Sequence, residues 1–239
     1  MINKSGGWMV FVTGFFEPVF YLLSMDVGVG SLVGDVTVDG RSYPYAEFVA
    51  PALMAVAAMN GAIFDSTIAI FFKLRHDIYD AVLATPMTSS YVAVGEIAWA
   101  VIRGVIYSIS FLVAMLLLGL VGSPWVVLAV PACALVAVAF AAVGMALTTY
   151  LRSWTDFDYI MAVTVPLMVF SATFYPPSSY GDWAWLLNFS PLYHGVRLCR
   201  AANTGVFEWS LLFNVAVLVV LALVGMRFTA RRIQGLLLT

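Results

Sequence analysis

Apolar runs long enough to cross a bilayer dominate the chain. A helix needs about 20 mostly apolar residues to span about 30 Å of hydrocarbon. Six stretches meet that need: 8–33, 47–72, 94–121, 126–150, 159–175 and 209–226. The pattern predicts an all-α polytopic membrane protein, with one transmembrane domain over residues 1–239. Glu17-Pro18 interrupts the first run, and a break at membrane depth must be satisfied by neighbouring helices. That run does not read as a cleaved secretory signal, because Met1 to Gly7 carries one Lys and no small-residue cleavage site stands out.

Two connections are more than hairpins. Residues 71–96 read FFKLRHDIYDAVLATPMTSSYVAVGE, with Ile78, Val82 and Leu83 at about helical spacing. Thr85-Pro86 stops the pattern, and Ser89 or Ser90 suits the cap of a new helix. A short helix here either docks in a groove of another protein or lies on the headgroups. In residues 174–208, Pro176-Pro177 ends the fifth run, and Trp183 to Asn188 is apolar but too short to cross. Pro191 breaks it, and Leu192 to Ala202 reads as helix again, carrying Arg197 and Arg200. Re-entrant helices that dip into one leaflet fit this stretch, and so does a surface loop with an amphipathic helix.

Composition narrows the class. The 239 residues are 63% hydrophobic and 10% charged, with mean hydropathy +0.98, against about 25% charged in soluble domains. So few charges cannot cover a soluble globule, which excludes a soluble enzyme. A net charge of −2 provides no basic field for nucleic acid. Lys4, Lys73, Arg75, Arg152, Arg227, Arg231 and Arg232 fall on one side of the expected topology. Arg41, Arg197 and Arg200 fall on the other, and Arg103 lies inside the third run. The positive-inside rule then places both termini in the cytoplasm. Trp8, Trp125, Trp154, Trp183, Trp185 and Trp209 lie near the ends of runs, where indole rings favour the headgroup level.

Candidate chemistry is sparse. The sequence has no P-loop, no H-E-x-x-H, no G-x-S-x-G and no C-x-x-C. Cys133 and Cys199 are far apart in apolar surroundings and form neither a disulfide framework nor a metal motif. His76 and His194 fall in connections on opposite sides. The intramembrane polar residues are Glu17, Asp65, Glu96 and Arg103. Glu96 and Arg103 share a helix face two turns apart, too far to pair directly. Each then has a partner on another helix, Glu17 with Arg103 being one candidate, or both stretch toward the headgroups. No catalytic residues, metal site or cofactor are expected in the chain, so the residues favour transport over chemistry.

Pro191-Leu192-Tyr193-His194, followed by five residues and Arg200, resembles the closing part of the signature of type-2 ABC exporter permeases. Residues 17–36, 48–66 and 83–100 are similar to the nodulation-protein J subgroup of that family. The resemblance implies a permease domain of six spans with a cytoplasmic coupling helix and a re-entrant outer hairpin at 176–206, set in a bacterial inner membrane. It implies a second permease copy or paralogue and two copies of a separate ATPase subunit that binds ATP and Mg. Asp77, Tyr79, Asp80, Thr85 and Pro86 would belong to the coupling segment, and Pro191, His194 and Arg200 to the outer hairpin. An amphipathic substrate such as a lipid-linked sugar, glycolipid or drug would pass between the first, second and fifth spans. Phe15, Phe16, Met54, Met59, Met168 and Phe170 are the expected lining. Such permeases usually begin with an amphipathic interface helix, and only seven residues precede Trp8 here. An ion-coupled carrier is the competing expectation.

Overall fold

The computed structural model describes residues 19–237, apart from 39, 77, 79–81, 83, 88 and 152. Helix α1 (Val19–Val33) is apolar and shorter than a full span. A β-hairpin follows, β1 (Asp35–Val38) pairing antiparallel with β2 (Arg41–Pro44). Helix α2 (Tyr45–Phe64) starts after Pro44 and continues through a π turn, Asp65–Ala69, into α3 (Ile70–Arg75). The remaining helices are α4 (Ser89–Leu117), α5 (Ala129–Thr148), α6 (Phe157–Val169), α7 (Pro191–Thr204) and α8 (Ser210–Leu237). A 3-10 run, Pro177–Phe189, kinks at Gly181 before α7.

Helix α5 forms the hub, packing against α2, α4, α7 and α8. Its sequence is apolar around its whole circumference, as suits a helix surrounded by others. Close approach depends on residues without side chains. A Cβ on Gly104 of α4 would lie 2.8 Å from the Ala137 Cβ. One on Gly225 of α8 would lie 3.0 Å from the Ala142 carbonyl carbon. The π turn meets α5 in the same way: Gly144 leaves room for the Ser66 hydroxyl. Thr148 Oγ1 donates to the Ser66 carbonyl at 3.1 Å, and Thr67 Oγ1 donates to the Ile63 carbonyl at 2.6 Å. The shifted ladder of the π turn is thus supported by hydroxyls, as a break inside a membrane helix requires. The far face of α8 exposes Leu212, Phe213, Val220, Leu223 and Val224, a surface suited to lipid tails.

Four helices among the described residues are long and apolar enough to cross a membrane: Tyr45–Lys73, Val94–Leu117, Pro124–Thr148 and Ser210–Thr229. They match the second, third, fourth and sixth predicted stretches. The first stretch lies partly outside the described residues, and α1 is its visible remainder. The fifth stretch, expected over 159–175, is a helix of only 13 residues, about 20 Å long. Pro166 sits near its end, where a missing N–H and a fixed φ weaken the last turn. The chain leaves the helix at Phe170 and passes through Ala172, whose φ of +55° is left-handed. An all-helical fold was expected, so the hairpin is a correction. Asp39-Gly40 is a strong hairpin signal in the sequence, and Gly40 has φ +77°.

Candidate functional site

At the end of the bundle remote from the β-hairpin, two ion pairs join α2–α3 to α4. Lys73 Nζ lies 2.5 Å from Glu96 Oε1, and Arg103 Nη1 lies 2.8 Å from Asp65 Oδ1. Glu96 and Arg103 each meet a partner on another helix, Lys73 for Glu96 and Asp65 for Arg103. Glu17 lies outside the described residues. Aromatic rings reinforce this end: Trp154 stands edge-on to Phe71 and Phe72 at 5.2 and 4.8 Å between centroids. The Arg75 guanidinium lies 5.2 Å from the Phe71 centroid. Of the expected coupling residues, Thr85 and Pro86 form an exposed turn, with Thr85 Oγ1 donating to the Val82 carbonyl at 2.5 Å. Asp77, Tyr79 and Asp80 lie outside the described residues.

Beside the Asp65–Arg103 pair opens a cavity of ≈ 380 Å³. Tyr21, Asn60, Phe64, Tyr107, Phe111 and Met168 contribute to its wall. Arg103 Nη2 donates to the Tyr107 hydroxyl at 3.3 Å. Asp65 Oδ2 and Arg103 Nε are buried and have no hydrogen-bond partner among the described residues. Of the six expected lining residues, Met168 reaches this cavity. Met54 and Met59 are wholly buried in the helix core instead, because α2 turns them toward its packed neighbours. Phe170 is exposed, and Phe15 and Phe16 lie outside the described residues.

The hairpin end gathers the signature residues. Pro191 opens α7, where a missing N–H costs nothing. His194 is fully buried; its Nε2 lies 3.0 Å from the Asn188 carbonyl and its Nδ1 2.7 Å from Asn214 Oδ1. The carbonyl can only accept, so Nε2 carries a proton. His194 therefore joins α7, the 3-10 run and α8. Arg200 Nη2 donates to the Thr173 carbonyl at 3.0 Å, Nε donates to the Phe48 carbonyl at 3.3 Å, and the guanidinium lies 3.8 Å from the Phe48 centroid. One arginine thus ties α7 to α2 and to the strained turn after α6. Tyr180 donates to the Val169 carbonyl at 3.2 Å, and burial pushes its phenol up. Asn203 bridges to the turn after α4, accepting from the Gly122 N–H and donating to the Leu120 carbonyl, each at 3.4 Å. A second cavity of ≈ 290 Å³ lies against Arg41, Glu47, Arg197 and Arg200.

Sequence reasoning missed Asn60, Asn203, Asn214 and the Phe48 ring. The three asparagines carried a readable signal, since a lone amide in an apolar stretch needs a partner. Phe48 carried none. The cysteines, 66 positions apart, come together with Sγ atoms 3.5 Å apart, both buried and both free.

The pattern of the family described as ABC-2 type transporter matches residues 1–203. The chain belongs to the ABC-2 type transporter family. Within the family it is similar to Nodulation protein J of Sinorhizobium fredii, 29% identical over 189 residues, covering 78% of this chain and 71% of that protein. Nodulation protein J of Rhizobium leguminosarum bv. viciae is 29% identical over 194 residues, covering 79% and 73%. That of Rhizobium meliloti is 28% identical over 194 residues, covering 79% and 72%. The ABC-2 match spans α1 to α7, so the ion-paired end, the larger cavity and the Pro191–Arg200 segment all fall within it. The chain is a transporter membrane component.

Proposed function

We propose that this ABC-2 component is the permease subunit of an ATP-driven exporter in a bacterial inner membrane. It crosses the membrane six times with both termini in the cytoplasm, and it pairs with a second permease. Two copies of a separate ATPase subunit, which bind ATP and Mg, dock on the segment between α3 and α4. The substrate is amphipathic, of the lipid-linked sugar, glycolipid or drug kind. Residues 176–206 dip into the outer leaflet as a re-entrant hairpin.

The observation that carries this reading is the bracing of the loop end. The Lys73–Glu96 and Asp65–Arg103 pairs tie together α2–α3 and α4, the two helical supports that the connecting segment joins. A push delivered there moves α2–α3 and α4 as one body, because packed side chains compress little. Without the pairs, the push would splay two independent helices. The same geometry weighs against an ion-coupled carrier. Such a carrier needs an ionisable group at membrane depth that is free to exchange its ion, whereas Asp65 faces Arg103 at 2.8 Å.

The test is reconstitution in liposomes with and without the co-purified ATPase. A fluorescent glycolipid should leave the cytoplasmic-side leaflet only when ATPase and ATP are both present. Asp80→Lys should then hydrolyse ATP without moving cargo. Uphill movement driven by a proton gradient, with no ATPase, would overturn the reading.

A further inference from the structure

The smaller cavity, at the β-hairpin end, is lined by charges of both signs: Arg41, Arg197, Arg200, Glu47 and Glu208. It lies where β2, α2, α7 and the start of α8 converge, and it shares no lining residue with the cavity beside Asp65. Arg41 is exposed and Glu47 is half-buried, and neither has an ion-pair partner among the described residues. The Glu47 carboxylate is tucked against the turn after α4, since a Cβ on Gly122 would lie 2.6 Å from Glu47 Oε1. A carboxylate drawn partly out of water calls for a cation or for hydrogen-bond donors. Arg197 is held loosely. Its Nη2 donates to Ser210 Oγ at 3.0 Å, while Glu208 Oε2 is 3.7 Å away, beyond hydrogen-bond length. The Arg197 side chain is 31% exposed, so a ligand can reach it.

We propose that this cavity binds a phosphate–ammonium zwitterion, the phosphoethanolamine group, as the head of a bilayer phospholipid or as the free compound. The site stands apart from any cargo route and does not depend on what the protein exports. Arg41 and Arg197 take the phosphate, because planar guanidinium forks match its oxygens two at a time. Arg200 adds a third positive charge to the wall while it stays hydrogen-bonded to the Thr173 and Phe48 carbonyls. Glu47 takes the ammonium. A head with a phosphate alone would leave Glu47 unpaired and facing a like charge. A quaternary ammonium would supply the charge but has no N–H to donate to the carboxylate, and a primary ammonium supplies both. The head is smaller than the drug-sized ligands that fill cavities of about 300–1,000 Å³, as a space of ≈ 290 Å³ requires. The surroundings suit a lipid. Val206 and Leu211 line the cavity, and the adjoining face of α8 exposes Leu212, Phe213 and Val220, along which acyl chains can lie. Trp209, next to Glu208, is 89% exposed, and indole rings favour the headgroup level.

The experiment is native mass spectrometry of the full chain, stripped of lipid in detergent. It is offered equal amounts of phosphatidylethanolamine, phosphatidylglycerol and phosphatidylcholine with the same acyl chains. Phosphatidylethanolamine should be retained about fivefold or more over either of the others. Glu47→Gln should abolish its advantage over phosphatidylglycerol. Val206→Trp, at a 41% exposed position in the cavity wall, should block the site without changing any charge. A melting curve for each variant shows that it is folded. Free phosphoethanolamine, offered alone at millimolar concentration, separates the two sources. A lipid preference assigns the site to the membrane lipid, and binding of the free compound with no lipid preferred assigns it to the soluble one. Equal retention of the three lipids together with no binding of free phosphoethanolamine would overturn the assignment. A preference for phosphatidylglycerol would overturn it as well, and so would binding that is unchanged in both folded variants.

Discussion

Replacing Arg200 with lysine keeps the positive charge and discards the planar fork. The guanidinium now reaches two carbonyls at once, on Thr173 and Phe48, while lying flat on the Phe48 ring. An ammonium on a flexible stem is a point donor and cannot reproduce that spread. One charged hydrogen bond is lost, worth about 1.5–3 kcal/mol. The stacked cation–π contact weakens as well, worth about 0.5–2 kcal/mol. The more favourable hydration of the ammonium in the unfolded chain adds to the loss, and relaxation of the turn offsets part of it. The expected cost is about 2–4 kcal/mol. The assay is reversible unfolding in mixed micelles followed by tryptophan fluorescence, with Phe48→Leu and the double variant completing a cycle. The cycle should show a coupling of about 1–2 kcal/mol between positions 48 and 200. A lysine variant within about 0.5 kcal/mol of the parent, or strict additivity with Phe48→Leu, would refute the pinning role. Arg200→Ala should also impair export while leaving membrane insertion intact.

Three further outcomes follow from the packing. Glu96→Lys sets two cations face to face where Lys73 now meets a carboxylate, and should cost about 1–2 kcal/mol; the swapped pair Lys73→Glu, Glu96→Lys should recover stability and ATP-coupled transport, and failure to recover either would remove the bracing argument. Gly225→Ala places a methyl 3.0 Å from the Ala142 carbonyl carbon and should cost about 1–3 kcal/mol in the same unfolding assay by overpacking α8 against α5. Copper phenanthroline should join Cys133 and Cys199, whose Sγ atoms need to close from 3.5 Å to about 2.05 Å; the intact mass should fall by two hydrogens, and no change in mass would contradict the α5–α7 contact.

Much of the architecture was legible because its cause is local. Membrane helices must satisfy their own backbone within one continuous segment, so second, third, fourth and sixth runs of apolar residues could be read one at a time. Pro191 at the start of α7 and most of the helix, read over Leu192 to Ala202, were equally readable. The fifth run was over-extended, because hydropathy measures greasiness, whereas Pro166 and the turn at Ala172 decide where the helix stops. The Asp39-Gly40 signal was overlooked in a connection read only for its charge. The larger cavity was half legible: Asp65 and Arg103 stood out as charges in apolar runs, but their pairing did not.

The sequence by itself determined that this is a membrane protein of the ABC-2 kind, since hydropathy and a short signature are properties of consecutive residues. Only the tertiary structure decided which groups meet. It set Asp65 against Arg103, placed Arg200 over Phe48, 152 positions away, and brought two distant thiols into contact. It also turned Met54 and Met59 inward while leaving Met168 at the cavity. The physical reason is that helix rotation is set by where the packing partners allow close approach, and here that is the row of small residues around α5. Spacing along one helix records which residues share a face, and the facing helices decide what that face touches.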